Sequence, residues 1–400
     1  METGHLRQLI ISATFLVAFG AHVFVVAWLL SVLPAIGRKR RLILAGSLLL
    51  FLIAPLGRLL GFLDWKALAP SLSAVGTTEW MTVMLASLPL ALVVAARRVV
   101  VPHLFRRAAT GEATTGAEAP PAGLTRRVAI ERMAGLTAFG VSGATLGWGA
   151  VVGRHRFRIE EVVVRIDGLP AALDGYTIAQ LSDIHAGLFV GERELEEGFA
   201  KVRDVRADLV VVTGDIVDFD ARYAPWVARR LADIRGRDGI VAILGNHDYY
   251  AGYELVVDAV RAAGVDMLVN EGRMIRPRDG GGFALLGVDD LWAHRSGGVG
   301  PDLDLALGAV RPDAPRVLLA HQPPYVDVAR GKVALQLSGH THGGQVNPGF
   351  CPAEWFMRYV SGRYEEAGTT LWVNRGFGVA GPPSRVGAPP EVTKVVLVSA

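Results

Sequence analysis

Four hundred residues exceed what one ordinary core needs and allow two or three domains. With 51% hydrophobic and 20% charged residues the chain is oily for a wholly soluble protein, and its single cysteine, Cys351, excludes an intramolecular disulfide framework and a thiolate metal cluster. The formal charge of +3 divides unevenly: residues 1–154 carry 15 Lys and Arg against 6 Asp and Glu, residues 155–400 carry 26 against 32, so the basic character belongs to the amino-terminal third and is no argument for nucleic-acid binding.

Leu9 to Leu33 is an apolar run long enough to cross a bilayer, ended by Pro34 and Arg38-Lys39-Arg40-Arg41. Leu42 to Leu63 is a second such run, and Trp80 to Val101, with Arg97 and Arg98 near its end, is a third. Residues 1–107 are therefore expected to form three transmembrane helices, with Trp28, Trp65 and Trp80 near their ends at the lipid–water interface. Ala108 to Gly123 is rich in Ala, Thr, Gly, Glu and Pro, so residues 108–132 read as a basic, flexible cytoplasmic linker. Thr125-Arg126-Arg127-Val128-Ala129-Ile130 opens into a weaker apolar run, and residues 133–153 read as a fourth membrane helix or a retained twin-arginine-like signal.

Short-loop arginines and lysines favour the cytoplasmic side. The segments 38–41 and 97–132 are basic, whereas the connection 64–79 carries Lys66 against Asp64 and Glu79. This expects an integral membrane protein with the domain of residues 155–400 extracytoplasmic after four crossings. Arg154, Arg156 and Arg158 count against that side, and a fourth run lying on the membrane would leave the domain cytoplasmic.

From Phe157 the pattern becomes strand and helix in alternation. Strands are expected at Phe157 to Val164, Tyr176 to Leu181, Leu209 to Val212 and Ile240 to Leu244, with helices at Glu192 to Val205, Tyr223 to Ile234 and Glu254 to Ala263. Shorter strands follow at Met274 to Arg276, Phe283 to Val288, Val317 to Ala320, Val333 to Leu337, Thr370 to Val373 and Thr393 to Val398, separated by turns such as Asp279-Gly280-Gly281-Gly282. Polar clusters stand at the carboxyl ends of these strands, the edge where sites assemble in open α/β sheets. They are Asp183 with His185, Asp215, Asn246 with His247, His321, and the glycine-framed pair His340 and His342.

Carboxylate, imidazole and one amide oxygen make a mixed O/N donor set, too hard for copper(I) and too rich in imidazole for a calcium cage. Seven such donors would serve two adjacent ions if one aspartate bridged them, and two ions ~3.5–4 Å apart suit phosphoryl transfer. Asp289-Asp290 with His294 read as a solvated turn or a substrate contact. The aromatic stretch Phe350, Trp355, Phe356 and Tyr359 reads as a membrane-dipping segment, a cap on the site or a packed loop.

These motifs resemble the calcineurin-like metallophosphoesterases, whose Asp-x-His, Gly-Asp-x-x-Asp, Gly-Asn-His-Asp, lone His and Gly-His-x-His stand in order at Asp183, Gly214, Gly245, His321 and Gly339. The resemblance implies a four-layer α/β/β/α sandwich behind an all-α transmembrane region. It implies that Asp183, His185 and His342 hold one ion, that Asp215 bridges, and that Asn246, His321 and His340 hold the second. It also implies that His247 is the proton donor or phosphate contact, oriented by Asp248. Asp218 is expected to support its loop rather than bind metal. Manganese, iron and zinc all accept such ligands. Gly344-Gln345, Asn374-Arg375-Gly376 and Pro389-Pro390-Glu391 look like the membrane-anchored or exported bacterial branch. The expected function is hydrolysis of a phosphodiester or pyrophosphate, of a lipid-type substrate by location, through a hydroxide bridging the two metals. The alternatives are a protein or small-molecule phosphomonoesterase and a ligand-binding receptor or transporter component. Arg375 and Arg385 are candidates for the substrate phosphate, with surface salt bridges as the competing reading. The expected partners are thus the bilayer and a phosphoester.

Overall fold

The structure is a computed structural model that describes residues 3–33, 38–63, 65, 68–96, 126–275 and 281–400. Most of the expected linker, the basic pair Arg97-Arg98 and the Asp279-Gly280 turn lie outside the described residues. The chain divides into two compact units, Ile10–Gly147 and Trp148–Ala400, the second taking in Met1–Leu9 as well.

The first unit is built from α1 (Thr3–Val32) after Leu9, α2 (Arg40–Phe62), α3 (Ala69–Ala95) and α4 (Arg126–Val151) up to Gly147, the last turn of α4 belonging to the second unit. Among the described residues four spans are long and apolar enough to cross a membrane: Ser12–Val32, Arg40–Phe62, Ala69–Ala95 and Val128–His155. The third helix begins at Ala69, eleven residues before Trp80, where the apolar run alone would start it. Its first half, Ser73-Ala74-Val75-Gly76-Thr77-Thr78-Glu79, is small and polar rather than oily, and its role is close packing. A Cβ on Gly76 would overlap the Ala54 backbone of α2, and one on Gly57 of α2 would overlap the Ser73 backbone. Small residues let membrane helices approach in this way, where apolar burial gives no drive. Trp80 Nε1 donates to the Phe51 carbonyl at 2.9 Å across the same contact.

Glu79 is a helix residue and not a connecting charge. Its carboxylate lies 3.0 Å from His22 Nε2 of α1, while His22 Nδ1 is 2.7 Å from the Ala18 carbonyl. We expect Gly76→Val to separate α2 from α3 and cost about 1–3 kcal/mol through overpacking. The check is a lower Tm in detergent.

Among the described residues the second unit holds twelve strands in two six-stranded sheets. The first runs β1 (Arg158–Ile166), β12 (Glu391–Ser399), β2 (Tyr176–Leu181), β3 (Leu209–Thr213), β4 (Ile240–Ile243), β5 (Asp266–Met267). The second runs β10 (Gly362–Glu366), β11 (Thr369–Val373), β9 (Leu335–Ser338), β8 (Arg316–Leu319), β7 (Phe283–Gly287), β6 (Glu271–Ile275). Helices α5 (Glu192–Val205), α6 (Ala224–Ala232), α7 (Asn246–Ala251) and α8 (Tyr253–Ala262) belong to the first sheet, and α9 (Leu303–Gly308) and α10 (Val326–Ala329) to the second.

Three apolar cores stack the layers. Leu195, Phe199 and Val202 of α5 share one helix face and pack with Val210 and Val212 of β3. Ile178, Leu209, Val211 and Val241 face Leu285, Val317 and Leu335 between the sheets. Leu286 and Leu318 meet Leu303 and Ala329 on the far side. The layers are therefore α/β/β/α, the fold that the motifs imply.

Register positions the site. β2, β3 and β4 are parallel, with Leu181 opposite Val212 and Thr213 opposite Ile243. β7, β8 and β9 are parallel too, with Gly287, Leu319 and Leu337 in line. Their carboxyl ends fall level, so the loops that begin at Ser182, Gly214, Leu244, Ala320 and Gly339 open on one edge. The short pieces β5, α7 and β10 were not anticipated. Each is too brief to show a period, and α7 is set instead by its cap, where the Asp248 carboxylate accepts the Gly245 N–H at 2.9 Å.

Candidate metal centre

Five of the predicted ligands sit in left-handed backbone: Asp183 (φ 53°), His185 (φ 50°), Asp215 (φ 54°), His340 (φ 70°) and His342 (φ 53°). For a residue with a β-carbon each such conformation costs of order 1–3 kcal/mol and persists only where its surroundings impose it. Here they do. Asp183 N donates to Gly214 O at 3.0 Å, His185 N to Asp215 O at 2.9 Å, and His340 N to the Asp183 carboxylate at 2.9 Å. Glycine is required at Gly245 and Gly339, where a Cβ would fall on the Asp215 and Asp183 carboxylates.

The donors converge in two groups that share Asp215. On one side His342 Nε2 lies 3.0 Å from His185 Nε2 and 3.4 Å from Asp183 Oδ1. On the other His321 Nε2 lies 3.2 Å from Asn246 Oδ1 and 3.3 Å from His340 Nδ1. Asp215 Oδ2 stands between them, 3.5 Å from His185 Nε2 and 3.2 Å from His321 Nε2. The triads Asp183, His185, His342 and Asp215, His321, His340 each bring their donor atoms within 4.8 Å of one another. The Thr213 carbonyl, 2.8 Å from His321 Nδ1, fixes the tautomer that leaves Nε2 with its lone pair.

Electrostatics fit cations. Burial, with repulsion from Asp215, pushes the Asp183 carboxyl up, whereas for Asp215 the nearby His321, His247 and His185 outweigh burial and hold it well below the usual range. Burial and the neighbouring His321 push His340 down to about 3, and burial with Arg385 pushes His342 well below its ordinary value, so both imidazoles are neutral donors. Two carboxylates, an amide oxygen and four imidazoles, all turned to one edge, match the donor chemistry of a pair of manganese, iron or zinc ions.

Around this set the structure corrects three expectations. The carboxylate facing His247 Nδ1 is Asp218 Oδ1 at 3.0 Å, not Asp248, and the same oxygen lies 3.3 Å from His185 Nδ1. The contacts are ion-pair distances whose angles fall outside those of hydrogen bonds. Although burial opposes charge on both groups, Asp215 and Asp218 hold His247 protonated up to about 9. Asp248 instead ties loops together: Oδ1 accepts from Ile216 N at 2.9 Å and Val217 N at 3.1 Å, Oδ2 from Gly245 N. Asp248→Asn leaves a buried N–H without an acceptor and is expected to cost about 2 kcal/mol, read as a lower Tm of the metal-free protein.

Neither candidate phosphate-binding arginine offers a free guanidinium. Arg385 is buried, with Nη1 donating to His342 O at 3.0 Å, Nε donating to Gly378 O at 2.9 Å, and Nη2 lying 3.0 Å from His342 Nδ1. Arg375 pairs with Glu160 at 2.5 Å and Glu391 at 2.9 Å. Both brace the histidine loop. Asp289 and Asp290 are buried rather than solvated, Asp289 Oδ1 accepting from the Tyr249 hydroxyl at 2.5 Å. The Asp218 contact had a signal in the sequence, the Gly-Asp-x-x-Asp spacing, whereas nothing local marks Arg385.

Residues 176–344 match the family model described as calcineurin-like phosphoesterase. The chain is 34% identical over 252 residues to a transmembrane protein with metallophosphoesterase domain of Danio rerio, covering 61% of this chain and 58% of that protein, so it spans little more than half of that relative. It is 31% identical over 261 residues to an uncharacterized metallophosphoesterase of Helicobacter pylori, covering 64% and 68%, and 30% identical over 287 residues to the uncharacterized metallophosphoesterase YkuE of Bacillus subtilis, covering 69% and 98%. With a likeness that runs almost the whole length of the Bacillus protein, and with the fold and the donor set in place, the chain belongs to the calcineurin-like metallophosphoesterases.

Proposed function

We propose that the protein is a membrane-held dimetal phosphoesterase that hydrolyses a phosphodiester or pyrophosphate bond, with a lipid-type molecule as substrate. The observation that carries the reading is Asp215 Oδ2 poised between the two donor groups, 3.5 Å from His185 Nε2 and 3.2 Å from His321 Nε2. Asp183, His185 and His342 would hold one ion, Asn246, His321 and His340 the other, and Asp215 both. Two ions so held lower the pKa of a bound water toward ~7 and neutralise charge on the phosphoryl oxygens.

The chain's own residues supply the rest. His247 is the proton donor to the departing oxygen. Asp218 fixes its Nδ1 side, which leaves Nε2 to carry the proton, and the Asp215 carboxylate accepts the His247 backbone N–H at 2.7 Å and sets the ring's distance from the ions. Four apolar spans support a membrane location and a substrate drawn from it. Crossed in turn, they would return the chain to the side on which α1 begins. With the basic segment Arg38–Arg41 cytoplasmic, the domain is extracytoplasmic, at a bacterial inner membrane. Of the three arginines that count against that side, Arg154 is paired with Glu194 at 2.7 Å.

The test uses full-length protein in mixed micelles with metal restored, comparing a lipid-linked pyrophosphate and a phospholipid diester with a soluble aryl monoester. Preference for either lipid over the monoester supports the reading. Faster cleavage of the monoester would replace it with a phosphomonoesterase.

A further inference from the structure

Where the fourth apolar span ends, the chain builds a small basic cavity. After the last turn of α4 comes a single 3-10 turn, Gly153–His155, and then β1. Arg385 N donates to Gly149 O at 3.2 Å, and a Cβ on Gly149 or Gly153 would overlap Ser384 Oγ or the Arg385 carbonyl, so the 384–387 segment lies flat on the end of the helix. Beside this contact is a cavity of about 210 Å³, lined by Trp148, Arg156, Arg158 and Arg385 among others. That is the volume of about seven waters, enough for a phosphodiester headgroup.

The charges there are unbalanced. The Arg156 guanidinium lies over the Trp148 ring at 5.4 Å from its centroid. Among the described residues neither Arg156 nor Arg158 pairs with a carboxylate. The acids of the adjoining strands are engaged elsewhere: Glu160 and Glu391 take Arg375, and Glu161 takes Lys394. Arg385 lines the wall with its guanidinium turned away, onto the Gly378 and His342 carbonyls and the His342 ring.

We propose that this cavity binds the phosphate headgroup of an anionic phospholipid and so seats the domain on the bilayer. Guanidinium groups fit phosphate oxygens bidentately, a tryptophan ring suits headgroup depth, and basic pockets at the ends of membrane helices attract anionic lipids. A lipid rather than a soluble phosphate is the occupant because the rim is apolar. Trp148 and Val151 are exposed on the apolar span itself, which offers the acyl chains a surface. The adjoining segment extends the contact: Asn347 N donates to Val386 O at 2.7 Å, and just beyond it Phe350, Trp355 and Phe356 are exposed, with Phe350 and Trp355 stacked at 5.6 Å. The proposal does not depend on which ester the metal site cleaves.

The test is native mass spectrometry of full-length protein released from nanodiscs of mixed phosphatidylglycerol and phosphatidylcholine. The wild type is expected to retain phosphatidylglycerol in preference, and the double variant Arg156→Gln/Arg158→Gln to lose that preference by about tenfold or more. The double variant Arg156→Lys/Arg158→Lys, which keeps the charge, is expected to retain part of it. A second readout is Tm in detergent, which phosphatidylglycerol should raise for the wild type and not for the glutamine variant. Equal retention of phosphatidylglycerol by the wild type and the glutamine variant would overturn the proposal. So would stabilisation by millimolar inorganic phosphate equal to that by the lipid, which would make the site one for a free anion.

Discussion

Asp215→Asn is expected to abolish loading of both ions and to lower turnover by at least about a thousandfold. Asp215 faces both donor groups. Oδ2 lies within 3.5 Å of one histidine in each, and Oδ1 takes the His247 backbone N–H at 2.7 Å. An asparagine keeps the shape and that backbone bond but removes the negative charge that two adjacent cations need between them. The same substitution should cancel the rise in Tm that added metal gives the wild type, since that rise is the free energy of binding to the folded state. Metal analysis after gel filtration, with turnover on the same sample, reads both effects. Retention of two ions by the variant would show that Asp215 does not bridge.

His247→Ala is expected to act in the opposite pattern, with both ions retained and turnover lost. Its ring is held by Asp218 at 3.0 Å, and although it approaches His185 and Asp215, the triads Asp183, His185, His342 and Asp215, His321, His340 are complete without it. General-acid catalysis is typically worth 10²–10⁴-fold, and a loss of about that size is expected on an ester whose leaving group must be protonated. On an activated aryl ester, whose leaving group departs without a proton, the loss should fall to about tenfold or less. The comparison of the two esters therefore separates proton donation from a mere disturbance of the site. An equal loss on both, or loss of metal, would give His247 another role.

Much of the site was legible because its residues are fixed locally. Each candidate ligand follows an apolar strand by one or a few residues, and parallel pairing then brings the strand ends level, as Leu181 with Val212 and Gly287 with Leu319 show. What could not be read depends on contacts far apart in the chain. Arg385 reaches His342 across 43 positions, and Asp248 fastens the Ile216 and Val217 amides more than thirty residues away. The true start of α3 was hidden for another reason. Its first half is selected for small side chains against Ala54 and for Glu79 facing His22, and hydropathy alone does not register either.

A metal titration of the stripped full-length protein, with bound ions and hydrolysis of an aryl phosphodiester followed on one sample, would decide between a dimetal hydrolase and a binding domain. Activity should appear as the second ion binds, saturate at two ions per chain and be absent from Asp215→Asn. Hydrolysis that persists in the stripped protein, or two bound ions with no hydrolysis of any phosphoester, would contradict a dimetal phosphoesterase.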